Sequence, residues 1–205
     1  MAVKIPINTI FTDIGGVLLT NGWDHTGRKK AVELFKLDPE ETEDRHHLTF
    51  GTYEIGKITL DEYLRRVVFY KKRSFSTLQF RQFMYKQSQP LPGTLELLKQ
   101  LKKKYKLKIA VLSNEGRELA EYRIKQYQLG KLADFFIVSS FVHFRKPDTD
   151  IFKIALDTAQ VFPEQVIYIE DRPMFVQVAS RMGINGIVHT NEKNTAEKLK
   201  DMGLK

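Results

Sequence analysis

Four short stretches of this 205-residue chain carry side chains able to do chemistry together. They are Asp13 followed by Gly15 and Gly16, Ser113 with Asn114, Lys146, and the acidic pair Glu170 and Asp171. A carboxylate can attack phosphorus and form an aspartyl-phosphate, which divides one difficult displacement into two easier ones. Carboxylate and phosphate are both anions, so the reaction calls for a divalent cation between them. Magnesium takes oxygen ligands and is completed by one or two carboxylates, water and phosphate. Asp13 and Asp171 can supply the carboxylates. Ser113 can donate to a transferring phosphoryl oxygen, and Lys146 can neutralise charge on both nucleophile and phosphoryl group. Gly15 and Gly16 let the backbone turn sharply and come close to a ligand. Asp13 taken alone fits the opening of a turn equally well; the three later stretches favour the chemical reading.

For these residues to meet, they must stand on one edge of a sheet. The apolar run 7–11 reads as a buried strand that delivers Asp13. From residue 93 the pattern alternates. Helices are expected over 93–105, 115–129 (closed by Gly130), 148–159, 173–182 and 194–202, and strands over 107–112, 135–138, 166–169 and 186–189. This is the signature of βαβ units: an α/β fold with a Rossmann-like parallel sheet covered on both faces. Right-handed crossovers then bring Asp13, Ser113, Asn114, Lys146, Glu170 and Asp171 to the carboxyl edge, where ligands bind.

Residues 20–90 differ. A glycine-punctuated loop containing Trp23, Asp24 and His25 leads into helical apolar patterns at 31–37, 63–70 and 78–85, with no strand in view. Thr59 and Glu62 have the spacing of a capping box. The expected organisation is a core of residues 1–19 and 91–205 and a small all-helical cap of residues 20–90, inserted after the first strand.

Composition sets the outer bounds. With 42% hydrophobic and 28% charged residues the chain can build a globular core. The net charge of +8 raises nucleic acid as a partner, but no nucleic-acid-binding motif accompanies it, and Lys99, Lys102, Lys103, Lys104, Lys106 and Lys108 read as solvated helix faces. The absence of cysteine excludes disulfides and thiol catalysis and limits metal ligands to oxygen and histidine nitrogen. Met1 to Pro6 lack the apolar stretch of a signal peptide, and no run is long enough to span a membrane. The expectation is a cytoplasmic protein with a small phosphorylated substrate as partner, neither nucleic acid nor membrane.

Four separated segments, Asp13-Ile14-Gly15-Gly16-Val17-Leu18, Val111-Leu112-Ser113-Asn114, Arg145-Lys146-Pro147-Asp148-Thr149-Asp150-Ile151-Phe152 and Ile167-Tyr168-Ile169-Glu170-Asp171-Arg172-Pro173, resemble in order the motifs of the haloacid dehalogenase-like hydrolase superfamily. The resemblance covers nearly the full length. It is to the branch that contains small sugar-phosphate phosphatases and the phosphatase domain of soluble epoxide hydrolase. It implies a helical cap of the first type. It also implies Asp13 as nucleophile, Ser113 and Lys146 holding the phosphoryl group, and Mg2+ bound by Asp13, Asp171 and the carbonyl of Gly15, with Glu170 beside the metal. Asn114, Gly16 and Trp23 are the expected substrate contacts, Trp23 as a floor of the pocket or as packing between cap and core.

The chain departs from the family pattern in three places. Phosphatases of the family usually carry Asp two residues after the nucleophile, as general acid and then base; here stands Gly15, which cannot move a proton, a loss of about 10²–10⁴-fold. Phe175 stands where a carboxylate or Asn often follows in the fourth motif. Thr12 replaces a common Phe. Asp24, His25 and Glu54 are candidate proton donors from the cap, with His25 more readily read as a solvated loop residue. His46 and His47 are expected as an exposed pair that makes a poor metal site. The leading expectation is a magnesium-dependent phosphatase for a small phosphorylated metabolite. Its alternatives are a catalytically weak member with a binding or regulatory role and a 2-haloacid dehalogenase, which would need neither an acid at position 15 nor a metal.

Overall fold

A computed structural model describes residues 6–205; the expected absence of a signal sequence concerns residues that lie mostly outside it. Five parallel strands, β1 (Thr9–Thr12), β2 (Lys108–Ser113), β3 (Phe135–Val138), β4 (Val166–Glu170) and β5 (Asn185–Val188), form one sheet in the order β3-β2-β1-β4-β5. The chain is therefore an α/β protein with β1 at the centre. Register places Thr12 beside Val111 on one side and Ile169 on the other, so Asp13 leaves the sheet level with the ends of β2 and β4.

Strand side chains alternate between two core layers, as a period of two requires. Ile10, Ile109, Val111, Ile167 and Ile169 enter one layer with Leu98, Leu101 and Leu199. These leucines come from α5 (Pro92–Tyr105) and α10 (Glu192–Asp201). Phe11, Ala110, Leu112, Val166 and Tyr168 enter the other, against α8 (Thr149–Ala159) and α9 (Pro173–Arg181). Burial on both faces explains why the strands read as unbroken apolar runs.

Between β1 and β2 lie α1 (His25–Phe35), α2 (Pro39–Glu54), α3 (Leu60–Val67) and α4 (Thr77–Lys86). They share a separate cluster built on Trp23, Leu60, Tyr63, Leu64, Phe80 and Met84. Helix α2 had no apolar pattern to announce it: its buried face is Thr42, His46, Thr49 and Tyr53, correctly spaced but largely polar. His46 is accordingly buried, its Nδ1 2.8 Å from the Tyr63 hydroxyl, while His47 is exposed; the expectation of an exposed pair fails for the first of them. Burial and the nearby Arg28 push His46 down to about 3, so it stays neutral.

Other boundaries moved for local reasons. β1 starts at Thr9 rather than residue 7, because pairing with Lys108 and Val166 begins there. α6 (Arg117–Gln126) ends before Tyr127 and Gln128, the latter left-handed, so Gly130 falls inside a short 3-10 turn rather than closing the helix. One helical turn, α7 (Ser139–Val142), went unforeseen. Thr59 caps α3, but Glu62 pairs with Arg65 and Arg66 instead of completing the box; the full box belongs to Ser76 and Gln79 on α4. Lys99, Lys103, Lys104 and Lys106 are exposed, whereas Lys102 binds Leu132 O and Asp134 and Lys108 lies in β2. Among the described residues, no helix is long and apolar enough to cross a membrane.

Phe80 is fully buried at the centre of the helical cluster, its ring 4.8 Å from Phe35 and 5.7 Å from Trp23. Phe80→Ala should lower the stability of the protein by about 3–5 kcal/mol, read as an earlier midpoint in urea unfolding.

Candidate active site

The ends of β1, β2 and β4 meet at a cavity of about 100 Å³ lined by Asp13, Gly15, Ser113, Asn114, Lys146 and Phe175. From the side of the four-helix cluster, Trp23, Asp24, Phe50 and Glu54 close it, and Glu115, Arg123, Arg145 and Arg172 complete the wall. Lys146 is fully buried. Its Nζ lies 3.1 Å from Asp13 Oδ2, 2.6 Å from Glu170 Oε2 and 3.1 Å from the carbonyl of Leu112. Asn114 fixes its backbone: the amide accepts from Lys146 N and donates to Lys146 O, both at 2.8 Å. The Asn114 amide thereby braces Lys146 while the residue also lines the cavity.

Glu170 is also fully buried, with both oxygens engaged: Oε2 accepts from Lys146 and the Tyr168 hydroxyl, and Oε1 accepts from Arg172 N at 3.1 Å. Asp13 Oδ1 accepts from Ile14 N at 2.7 Å, which holds the carboxylate in place. Burial pushes the Asp13 carboxyl up; Lys146 opposes that and Glu170 adds to it, with a hydrogen bond from Ser113 favouring the anion. Burial alone would pull Lys146 down, but the two carboxylates outweigh it and hold the ammonium charged.

Asp13, Glu170 and Asp171 each place a carboxylate oxygen within 4.8 Å of the others. One lysine against three carboxylates leaves an excess of negative charge. Among the described residues Asp171 Oδ1 is buried without a hydrogen-bond partner, while Oδ2 accepts from Asn21 Nδ2 at 3.2 Å. An all-oxygen donor set with an unpaired anionic atom fits a hard divalent cation such as magnesium. Gly16 makes room for it. Its φ is +69°, and a Cβ there would sit 2.5 Å from Asp171 Cγ. Gly15 is tight for another reason, since a Cβ there would lie 2.8 Å from Asn21 Oδ1.

The candidate proton donors separate. His25 is exposed on α1 and does not line the cavity. Asp24 lines it, but its Oδ1 caps α1 by accepting from Gly27 N at 2.8 Å. Glu54 lines it with Oε2 3.0 Å from Arg145 Nε; burial pushes its carboxyl up. Trp23 lines the cavity, and its Nε1 donates to Tyr63 Oη at 2.9 Å inside the helical cluster. Phe175 packs beside Lys146, its ring centroid 5.2 Å from the Nζ. Sequence reasoning missed Asn21, Glu115 and Arg123. Glu115 alone carried a signal, its place two residues after Ser113 on the same strand-end loop.

A family model for haloacid dehalogenase-like hydrolases matches residues 7–183. The chain belongs to that family. A phosphorylated carbohydrates phosphatase of Thermotoga maritima is 31% identical over 199 residues, covering 90% of this chain and 87% of the relative. The HAD family enzyme BT-2542 of Bacteroides thetaiotaomicron superposes with a TM-score of 0.78 at 22% identity, over 91% of this chain and 95% of that one. Its complex with magnesium and inorganic phosphate superposes at 0.75, with 24% identity over 90% and 95% of the two chains.

Two outcomes follow from this geometry. Gly16→Ala should cost about 1–2 kcal/mol for its left-handed backbone. By displacing Asp171 it should also weaken magnesium binding by about 10–100-fold in titration calorimetry. The second concerns Glu115, which burial pushes up to about 7 from 4.5 despite Arg123. A carboxyl raised by folding stabilises fully below about 4.5, and that contribution is lost as pH rises through about 7. Between those values the wild type should lose up to about 3 kcal/mol more than Glu115→Gln in urea unfolding.

Proposed function

We propose that this hydrolase is a magnesium-dependent phosphatase of a small phosphorylated metabolite, a phosphorylated carbohydrate being the favoured class. The observation that carries the reading is the buried Asp13–Lys146–Glu170 array beside Asp171, whose Oδ1 has no partner. Asp13 is the nucleophile. It is anchored through Oδ1 by Ile14 N, and Lys146 offsets charge at Oδ2. Lys146 and Ser113 stabilise the phosphoryl oxygens as Asp13 forms the aspartyl-phosphate. Asp13, Asp171 and the carbonyl of Gly15 would hold magnesium, which supplies charge neutralisation between carboxylate and phosphate. Glu170, with both oxygens engaged, holds Lys146 in place. The carbohydrate class is supported by the Thermotoga maritima relative and by a cavity wall of carboxylates and guanidiniums able to bond hydroxyl groups.

Residues 20–90 are read as the cap over a core of residues 1–19 and 91–205. Their helices pack around one cluster, which Leu119 of α6 joins, and contribute Trp23, Asp24, Phe50 and Glu54 to the cavity. Gly15 and Phe175 favour a second reading, a weakly catalytic member that binds a phosphorylated metabolite.

The deciding assay is hydrolysis of p-nitrophenyl phosphate with and without magnesium, for wild type and Asp13→Asn. Magnesium-dependent turnover that falls at least about 10³-fold in the variant is the expected result, since the nucleophile is removed. A folded wild type that binds magnesium and phosphate without turnover would establish the binding role, and release of halide from a 2-haloacid would establish the dehalogenase.

A further inference from the structure

Resting on the phosphatase reading, we propose that Glu115 is the proton-transfer residue of this site, doing from the loop after β2 what Gly15 cannot. Glu115 lines the same cavity as Asp13 and Ser113. Its Oε1 is 2.8 Å from Arg123 Nη1, while Oε2 is buried with no hydrogen-bond partner. Arg123 is itself fixed, donating from Nε to Ser88 Oγ at 2.9 Å and from Nη2 to Thr20 O at 3.1 Å. The Glu115 backbone is held as well, its N–H donating to Ser139 Oγ at 2.8 Å.

The location follows from Gly15. A Cβ built on that residue would stand 3.8 Å from Arg123 Nη1, the atom that grips Glu115. Asn21 Oδ1 stands nearer, at 2.8 Å, and Arg123, which holds Glu115, borders the same position. The chain has no carboxyl on that residue, and the arginine that borders it holds the buried Glu115 carboxyl. Of the other acids on the wall, Asp24 caps α1, and Glu54, paired with Arg145 at 3.0 Å, lies on α2 and is the rival that the test includes.

The groups that act on Glu115 come from several elements: Arg123 on α6, Asp13 after β1, Glu54 on α2 and Lys146 before α8. Tyr53 on α2 is also near; burial, Glu118 and Glu115 raise its phenol, so it stays neutral. Burial dominates and holds the Glu115 carboxyl near 7, where one residue can serve as acid and then as base. As Asp13 attacks phosphorus and the bond from phosphorus to the leaving oxygen breaks, the Glu115 proton passes to that oxygen and the alcohol departs. Glu115, now a carboxylate, takes a proton from the water that attacks the aspartyl-phosphate at phosphorus. Phosphate leaves, Asp13 is again a carboxylate, and Glu115 is again protonated.

The test is a series of aryl phosphates from p-nitrophenyl through phenyl to p-methoxyphenyl phosphate, assayed with magnesium on wild type, Glu115→Gln, Glu115→Asp, Glu54→Gln and Asp13→Asn. The slope of log kcat/KM against leaving-group pKa is independent of the folded fraction, so partial unfolding of a variant does not disturb it. The expected result is a shallow slope for wild type and a steep one for Glu115→Gln. That variant should lose about 10²-fold or more on p-methoxyphenyl phosphate and less than about fivefold on p-nitrophenyl phosphate, with Glu115→Asp between. The fall of kcat/KM for phenyl phosphate above about pH 7 should disappear in Glu115→Gln. A purely structural Glu115 would lower the whole series equally. Parallel slopes, or a steep slope produced by Glu54→Gln instead, would overturn the proposal and leave the phosphatase reading standing. No turnover in wild type, or full turnover in Asp13→Asn, would overturn both.

Discussion

The structure depends on one buried ammonium. Lys146 has no exposed surface and sits between Asp13 and Glu170, at 3.1 and 2.6 Å. Removing three charges from water costs several kcal/mol each, and only tight mutual contact with further hydrogen bonds offsets that. The surroundings supply both. Leu112 offers a carbonyl, Asn114 clamps the lysine backbone at N and O, and Tyr168 donates to Glu170. Those partners come from the ends of β2 and β4, which register sets on either side of the end of β1. The central position of β1 is therefore an electrostatic requirement as much as a topological one.

Charge balance links this array to function. One lysine cannot neutralise Asp13, Glu170 and Asp171, and the unpaired Asp171 Oδ1 marks where the surplus lies. Gly16 keeps that edge open because its left-handed backbone brings it against the Asp171 carboxylate. Around this anionic centre the cavity wall carries Arg123, Arg145 and Arg172. The overall charge of +8 matters less than this local arrangement, in which cations surround the place where an anionic substrate would lie.

The helical insertion meets the sheet through specific polar contacts. Ser139 Oγ donates to Glu54 O at 2.6 Å and accepts from Glu115 N at 2.8 Å, so one hydroxyl ties the end of α2 to the loop after β2. His143 Nδ1 lies 2.8 Å from Ile55 O a little further on. These contacts set Glu54 and Glu115 in a common wall, and α7, the single turn that sequence patterns do not announce, provides Ser139.

What the sequence determined by itself was whatever depends on neighbours along the chain or on simple periodicity. The apolar runs identified the strands, and their alternation with helices implied the parallel sheet and hence the meeting of Asp13, Ser113, Lys146 and Asp171 at one edge. The tertiary structure alone decided the rest, because it turns on contacts between distant segments. Helix α2 was hidden by a polar buried face whose partners lie on α3 and in the cluster beyond, and His46 was misjudged with it. Asn114 reads as a substrate contact, and only the packed fold adds that its amide braces Lys146, 32 residues away. Glu115 reads only as the first residue of a helix until burial and Arg123 are in place, since the solvation and charge that set its proton affinity come from the packed fold and from no local run of residues.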